Sequence, residues 1–317
     1  MLNATGKIII IMPEPRNGGS RHLPPVAHAP HGNHGSTRHA PQPGSVDPVQ
    51  QQQLAEHHIA DVRRFFSGIG VTEREGNASN VPVVFDPSFE NAAYVRQIDT
   101  RTNQMVGESL QIGVDPESGE SYAKAKDVMA HEWTHRITNA LVPGLLTGAH
   151  FGSDMAIGES LADTLAAAYD TDDWDIGEDI GTPVRNMADP GRYGDPAHMT
   201  DLKKIYESGD ERVQVVRRPD GQHAFRVEGH LLAGIPNKAA SLIGDAIGRD
   251  KMAQIYLDTA RNNLQPCRGL DGYAAGVMMS ARDLFGPQSR EFQATTQAFD
   301  AVGLLDQVKA QREPSRR

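Results

Sequence analysis

The chain has 317 residues, a formal net charge of −10 and a single cysteine, Cys267. That length exceeds an average domain and can bury a substantial core. The acidic balance excludes the electrostatic footprint of a nucleic-acid binder, and one cysteine excludes an intrachain disulfide.

In chain order, the first apolar run, Lys7 to Met12, is too short for a signal peptide or a membrane span. No membrane partner is expected, and both a cytoplasmic place and a non-classical export route stay open. Residues 13–48 are rich in Pro, Gly, His and Ser and almost lack large apolar side chains. They cannot offset the entropy of ordering, so residues 1–45 are expected to be a flexible tail. This tail is a candidate short pro-segment, with Leu23-Pro-Pro-Val26 as a docking strip. Its histidines fit loose metal binding or, more simply, a solvated linker. Beyond it, Val49–Phe66 has helical periodicity, while Val81–Phe85 and Gln104–Val114 look like strands.

Next comes His131-Glu132-Trp133-Thr134-His135, an H-E-x-x-H pentapeptide. Residues four apart on a helix share a face, so His131 and His135 can grip one Zn²⁺. Glu132 can then act on a metal-bound water. The neighbourhood reads as such a helix. Asp127 supplies a first-turn acid, Val128, Met129, Trp133, Ile137 and Leu141 supply apolar positions, and Pro143-Gly144 stops it. The competing reading is two exposed histidines beside a surface glutamate.

Catalytic zinc usually has three protein ligands and an open fourth position. Residues 156–170 form an apolar, alanine-rich stretch with Glu159 and Asp163 one turn apart. Buried carboxylates there need partners, which a metal and a metal-bound histidine provide. Glu159 is the expected third ligand, and Asp163 is expected to accept the free N–H of a ligand histidine. A solvated acid pair is the plainer alternative.

Asp170, Asp172, Asp173, Asp175, Glu178 and Asp179 then crowd together. Like charges at this density repel unless they are solvated or hold a cation, and oxygen-rich clusters suit Ca²⁺. Val213–Val227 reads as a β-hairpin around Asp220-Gly221. Lys238–Ile247, Asp250–Asn262, Gly272–Phe285 and Ser289–Val302 have helical spacing, and Val277-Met278-Met279 reads as core. The expected class is α+β, with an N-terminal lobe over 46–144 that includes the zinc helix and a helical lobe over 145–317.

Several ordered blocks resemble the thermolysin-like neutral metalloproteases over most of residues 46–305. They are the zinc helix Asp127–His135, Gly158–Asp163, Asp173–Ile180, Arg185–Pro196, His230–Lys238 and Phe299–Gly303. The resemblance implies a two-lobed zincin with the zinc helix at the floor of the cleft. His131, His135 and Glu159 would be zinc ligands and Glu132 the general base. His230 would hydrogen-bond the oxyanion and Arg185 would orient a substrate carbonyl. Asn91-Ala92 is similar to the edge-strand dipeptide that pairs with substrate backbone, and Val128 and Val184 fall where the family lines an apolar pocket. Asp127, Asp170, Asp173, Asp175 and Glu178 match calcium ligands, implying a paired calcium site.

The chain also departs from the family pattern. The stretch between His135 and Glu159 is longer and has no placeable substrate-contacting tyrosine. Trp133 replaces a common leucine, and Leu231-Leu232-Ala233 follows His230 where Asn-Ser is usual. Asp220 and Glu228 both stand as candidate acids to support His230. The function expected is a zinc-dependent endopeptidase acting on peptides and proteins and cleaving before apolar residues. The alternative is a catalytically impaired zinc-binding interaction protein that keeps the fold.

Overall fold

A computed structural model describes residues 7–11, 46–99, 101–102, 104–146, 151–181, 183–217, 223–266 and 268–305. Most of the expected tail, the Asp220-Gly221 turn and Cys267 therefore lie outside the described residues.

The expected first helix is α1, Pro48–Gly68. Asp47 caps it by accepting the Val49 N–H at 3.0 Å, and Pro48 occupies the first turn, where its missing N–H costs nothing. Its apolar face, Ala55, Ile59, Val62 and Phe66, is buried.

A four-stranded sheet contains β1 (Lys7–Ile11), β2 (Val83–Phe85), β3 (Ala92–Asp99) and β4 (Gln104–Ile112), in the order β1-β3-β4-β2. The strands expected at Val81–Phe85 and Gln104–Val114 appear as β2 and β4, each shorter by two residues at one end. Two features correct the sequence reading. Lys7–Ile11, inside the segment expected to be a tail, forms a strand antiparallel to β3, from Lys7 opposite Asp99 to Ile11 opposite Val95. In consequence, β3 is not an edge strand along its whole length. β1 covers it from Val95 onward and stops short of Asn91–Tyr94.

The helix expected to carry the two histidine ligands, α2, is Lys126–Leu141, and α3 is Ser153–Tyr169. Short strands β5 (Asp175–Ile176) and β6 (Arg185–Asn186) pair after the acidic loop. Helix α4, Asp201–Glu207, has no counterpart in the sequence reading. The expected hairpin is β7 (Val213–Arg217) with β8 (His223–Val227).

Helix α5 runs from Gly229 to Ile247 and begins nine residues before the expected Lys238. Gly234 and Pro236 hide this extension in the sequence, because both normally punctuate helices. Here the glycine is a packing requirement: a Cβ at Gly234 would lie 2.7 Å from the Pro196 carbonyl oxygen. Burial of this half of the helix outweighs the hydrogen bond that Pro236 cannot donate. The last helices are α6 (Arg249–Asp258), α7 (Gly269–Phe285) and α8 (Arg290–Ala301). α6 passes into a π-turn over Thr259–Asn263, against which Gly276 of α7 packs closely.

The result is a mixed helix-and-sheet fold in which one hydrophobic cluster runs from Ala55 of α1 through β3, β4, α2, α3 and α5 to Phe299 of α8. α2 packs against α3, α3 against α5, and α5 against α8. Polar contacts fix the remaining side of α2. Trp133 is buried, and its indole N–H donates to Asn77 Oδ1 at 3.0 Å. Asn77 Nδ2 in turn donates to the Arg63 carbonyl at 3.0 Å and to Ser67 Oγ at 2.9 Å, tying α2 to α1. The bulk of Trp133 is thus matched by a partner for its N–H. Arg136 stacks over the same indole, 5.1 Å from its centroid, and pairs with Glu108 of β4 at 3.0 Å. Glu108 also accepts the Tyr94 hydroxyl at 2.7 Å.

We predict that Asn77→Ala, which strands a buried indole N–H, lowers unfolding free energy by about 1–3 kcal/mol. Urea titration followed by tryptophan fluorescence measures this, and an unchanged midpoint would show that the Trp133–Asn77 link carries no stability.

Candidate active site

His131, Glu132 and His135 are all buried on α2. Among the described residues they form a group whose ligand atoms all lie within 4.8 Å of one another. Glu159 completes the arrangement from α3: its carboxylate is 3.3 Å from His131 Nε2 and 3.5 Å from His135 Nε2. The two imidazoles meet edge to face, with centroids 4.6 Å apart. The sequence-predicted ligands therefore converge.

The residues present fit a zinc ion. Both oxygens of Glu159 are buried without a hydrogen-bond partner, an arrangement that is costly unless a cation faces them. Two imidazole nitrogens and a carboxylate are a donor set that catalytic zinc takes. Burial alone would raise the Glu159 carboxyl, but the charge of the neighbouring His230 holds it well below the usual carboxylate range. Burial pushes His135 down to about 3, which keeps its imidazole neutral and ready to ligate.

Asp163 organises the site one turn further along α3. Its Oδ1 meets His131 Nδ1 at 2.8 Å, the contact expected from the sequence. Arg185 of β6 forks onto the same carboxylate, with Nε 2.7 Å from Oδ2 and Nη2 2.9 Å from Oδ1. Asn237 of α5 donates its amide to Oδ2 at 2.7 Å. Burial would raise this carboxyl, but the charge of Arg185 and the hydrogen bond and charge of His131 hold it far below the usual range. The sequence reading assigned no role to Asn237, and the available signal was its place in the block that begins at His230.

His230, in the first turn of α5, points Nε2 at Glu159 from 3.3 Å. Its supporting acid is Glu228, whose Oε1 lies 2.5 Å from His230 Nδ1. Glu228 also caps α5 by accepting the N–H groups of His230 and Leu231, at 3.1 and 2.9 Å. Burial disfavours the His230 imidazolium, yet the charge of Glu159 and the hydrogen bond and charge of Glu228 raise it to about 10.

Glu132 faces the sheet, where its Oε2 accepts the Tyr94 backbone N–H at 2.6 Å. Asn91 and Ala92 sit just upstream, and the Asn91 carbonyl accepts from Gly113 at 2.8 Å. Val128 and Val184 come together over Gly177: a Cβ there would meet their methyls at 3.7 and 3.0 Å. Gly177 has φ +81°, and its N–H donates to Asp127 Oδ2 at 2.5 Å.

The acidic loop is only partly gathered. Asp127 is 1% exposed, and burial, then the charges of Glu178 and Asp170, push its carboxyl up to about 8. Burial, aided by the charges of Asp173, Asp170 and Asp179, likewise raises Glu178 to about 7. Asp173 Oδ1 accepts the Asp175 N–H at 2.7 Å. Asp175 instead turns to Asn186, 2.7 Å away, and to Arg192 at 3.6 Å.

The sequence that builds much of this site has known relatives. Residues 151–304 match the family model described as thermolysin metallopeptidase, alpha-helical domain. The chain is similar to the thermolysin-like metalloproteases through this domain. It is 35% identical over 194 residues to a bacillolysin of Brevibacillus brevis, an alignment spanning 56% of this chain and 33% of that one. Against a thermolysin of Alicyclobacillus acidocaldarius subsp. acidocaldarius it is 34% identical over 199 residues, again spanning 56% of this chain and 33% of the relative. Neutral protease B of Bacillus subtilis (strain 168) is 30% identical over 195 residues, 56% of this chain and 32% of its own. The chain thus spans about a third of the length of these curated relatives. The family-model match contains Glu159, Asp163, Arg185, Glu228 and His230.

Asp163→Asn should weaken zinc binding by about 10–100-fold, because the His131 tautomer loses its acceptor. Competition with a chromophoric chelator reads this, with circular dichroism to verify the fold. Wild-type affinity in the variant would remove Asp163 from the metal site.

Proposed function

We propose that the chain is a zinc-dependent endopeptidase in which Glu132 is the general base. One observation carries the reading: the carboxylate beside the two ligand histidines also accepts the backbone N–H of Tyr94 at 2.6 Å. The base therefore stands between the metal ligands and the backbone of a strand that is uncovered by β1 at that end.

An extended peptide adding to that stretch would find partners by strand alternation. The Asn91 carbonyl is turned to Gly113 on the β4 side, so the backbone groups of Ala92 face the other way, as the Tyr94 N–H does. Antiparallel addition there positions a scissile bond beside Glu132. The valine methyls over Gly177 favour an apolar residue after that bond. This places the peptide in a cleft between the sheet and the helices, with α2 as its floor.

Zinc held by His131, His135 and Glu159 would supply Lewis acidity and lower the pKa of water toward ~7. Glu132 takes the proton of the attacking water and passes it to the leaving amine. His230, held in orientation by Glu228, donates to the oxygen on which negative charge develops. Arg185, forked on Asp163, is placed to orient a substrate carbonyl.

The rival reading, a zinc-binding protein without turnover, draws on Leu231-Leu232-Ala233 beside His230. A purely structural zinc needs no general base and normally has a closed set of four ligands. Glu132 argues for the enzyme.

We predict that Glu132→Gln lowers turnover of casein or a blocked dipeptide amide by about 10²–10⁴-fold while zinc content is kept. Addition of 1,10-phenanthroline should abolish wild-type activity. Wild-type protein that retains zinc and cleaves neither substrate would establish the rival reading.

We further infer that the acidic loop holds calcium and ties itself to the zinc helix through Asp127, with Asp170, Asp173, Asp175 and Glu178 as the candidate ligands. The raised carboxyls of buried Asp127 and half-buried Glu178 support this, since a cation would keep both charged. Excess EGTA should lower the melting temperature in differential scanning calorimetry. An unchanged transition would remove calcium from the fold.

A further inference from the structure

Lys126, the first residue of α2, directs its ammonium into the acidic loop. Its Nζ lies 3.1 Å from Asp170 Oδ1 and 3.1 Å from Asp172 Oδ2. Asp170, the residue that ends α3, is only 6% exposed, and its two oxygens are used differently. Oδ1 faces Lys126 and accepts the Asp172 N–H at 3.3 Å, while Oδ2 is buried with no partner. Glu178 Oε2 is likewise buried and unpartnered.

We propose that the Lys126 ammonium fills one cation position of this loop, so that the site takes a single Ca²⁺ in place of a pair. The proposal rests on the calcium reading above and narrows it. Asp127, Asp170 and Glu178 carry three negative charges, which one ammonium and one divalent ion balance. The outer acids are partly engaged elsewhere. Asp175 is held by Asn186 and faced by Arg192, and Asp173 closes its own turn onto the Asp175 N–H. A tethered ammonium beside Asp170 needs no calcium in solution, so one of the three compensating charges is built into the chain. Asp170 then bridges the two cations, giving one oxygen to each.

The test is calcium stoichiometry by equilibrium dialysis and elemental analysis on the calcium-stripped full chain. Melting temperature is followed in parallel against calcium concentration. Wild-type protein should bind one Ca²⁺ per chain, Lys126→Arg should also bind one, and Lys126→Met should bind more than one with a steeper dependence of melting temperature on calcium. Two ions bound by the wild type would overturn the role of Lys126 and leave the calcium reading intact. No calcium bound at all would overturn both. One ion in both wild type and Lys126→Met, with equal dependence of melting temperature, would reduce the lysine to a surface ion pair.

Discussion

Asp163 is the constraint on which the functional half of this molecule depends. A carboxylate with no exposed surface must be surrounded by donors, and its donors come from three different elements. His131 reaches it from α2, Arg185 from β6 and Asn237 from α5, while the acid itself belongs to α3. None of these contacts tolerates much displacement, because each withdrawn donor leaves charge stranded in a dry interior. The relative placement of the four elements and the orientation of the His131 ring are therefore set by one group. Glu159, a turn away on the same helix, inherits that placement and meets the two histidines of α2 and His230 of α5.

On the opposite side of α2 the logic is different. There the helix must be fixed to a sheet, and the contacts use backbone and mixed polar groups. Glu132 accepts from Tyr94, the Tyr94 hydroxyl donates to Glu108, and Glu108 pairs with Arg136 one turn beyond Glu132. Trp133 and Asn77 bind the same stretch of helix to α1. A helix carrying consecutive metal-facing and sheet-facing residues can only work when both sides are clamped. The buried run from Asp127 to Thr138 reflects that double demand.

The acidic loop shows how the chain manages charge near this helix. Asp127 opens α2 and is buried against Gly177, whose left-handed conformation lets its N–H turn back to the carboxylate. The same glycine lies against the methyls of Val128 and Val184, which shape an apolar surface beside the site. The acidic loop and this apolar surface thus share one turn of backbone. Arg249 secures the loop from α6, donating to the carbonyls of Ala167 and Asp170 at 2.6 and 2.7 Å and stacking on Trp174.

What the sequence by itself determined was the local chemistry of periodic segments. Histidines four apart on a helix must share a face, and an acid one turn from another on an alanine-rich helix must share theirs. His131, His135, Glu159 and Asp163 were legible for that reason, as were most helices and the hairpin strands. Contacts between segments distant in the chain were not. Glu228 could not be told from Asp220 as the partner of His230, Asn237 had no local sign of its role, and Arg185 showed no link to Asp163. β1 and the covered part of β3 depend on pairing between residues some ninety positions apart, which no local pattern encodes. Helix α5 was truncated in the reading because Gly234 and Pro236 look like breaks until the Pro196 carbonyl explains the need for a missing side chain. The split of Asp170 between Lys126 and a vacant oxygen was likewise decided only in three dimensions. Periodicity is a property of neighbours along the chain, whereas compensation of buried charge is a property of neighbours in space.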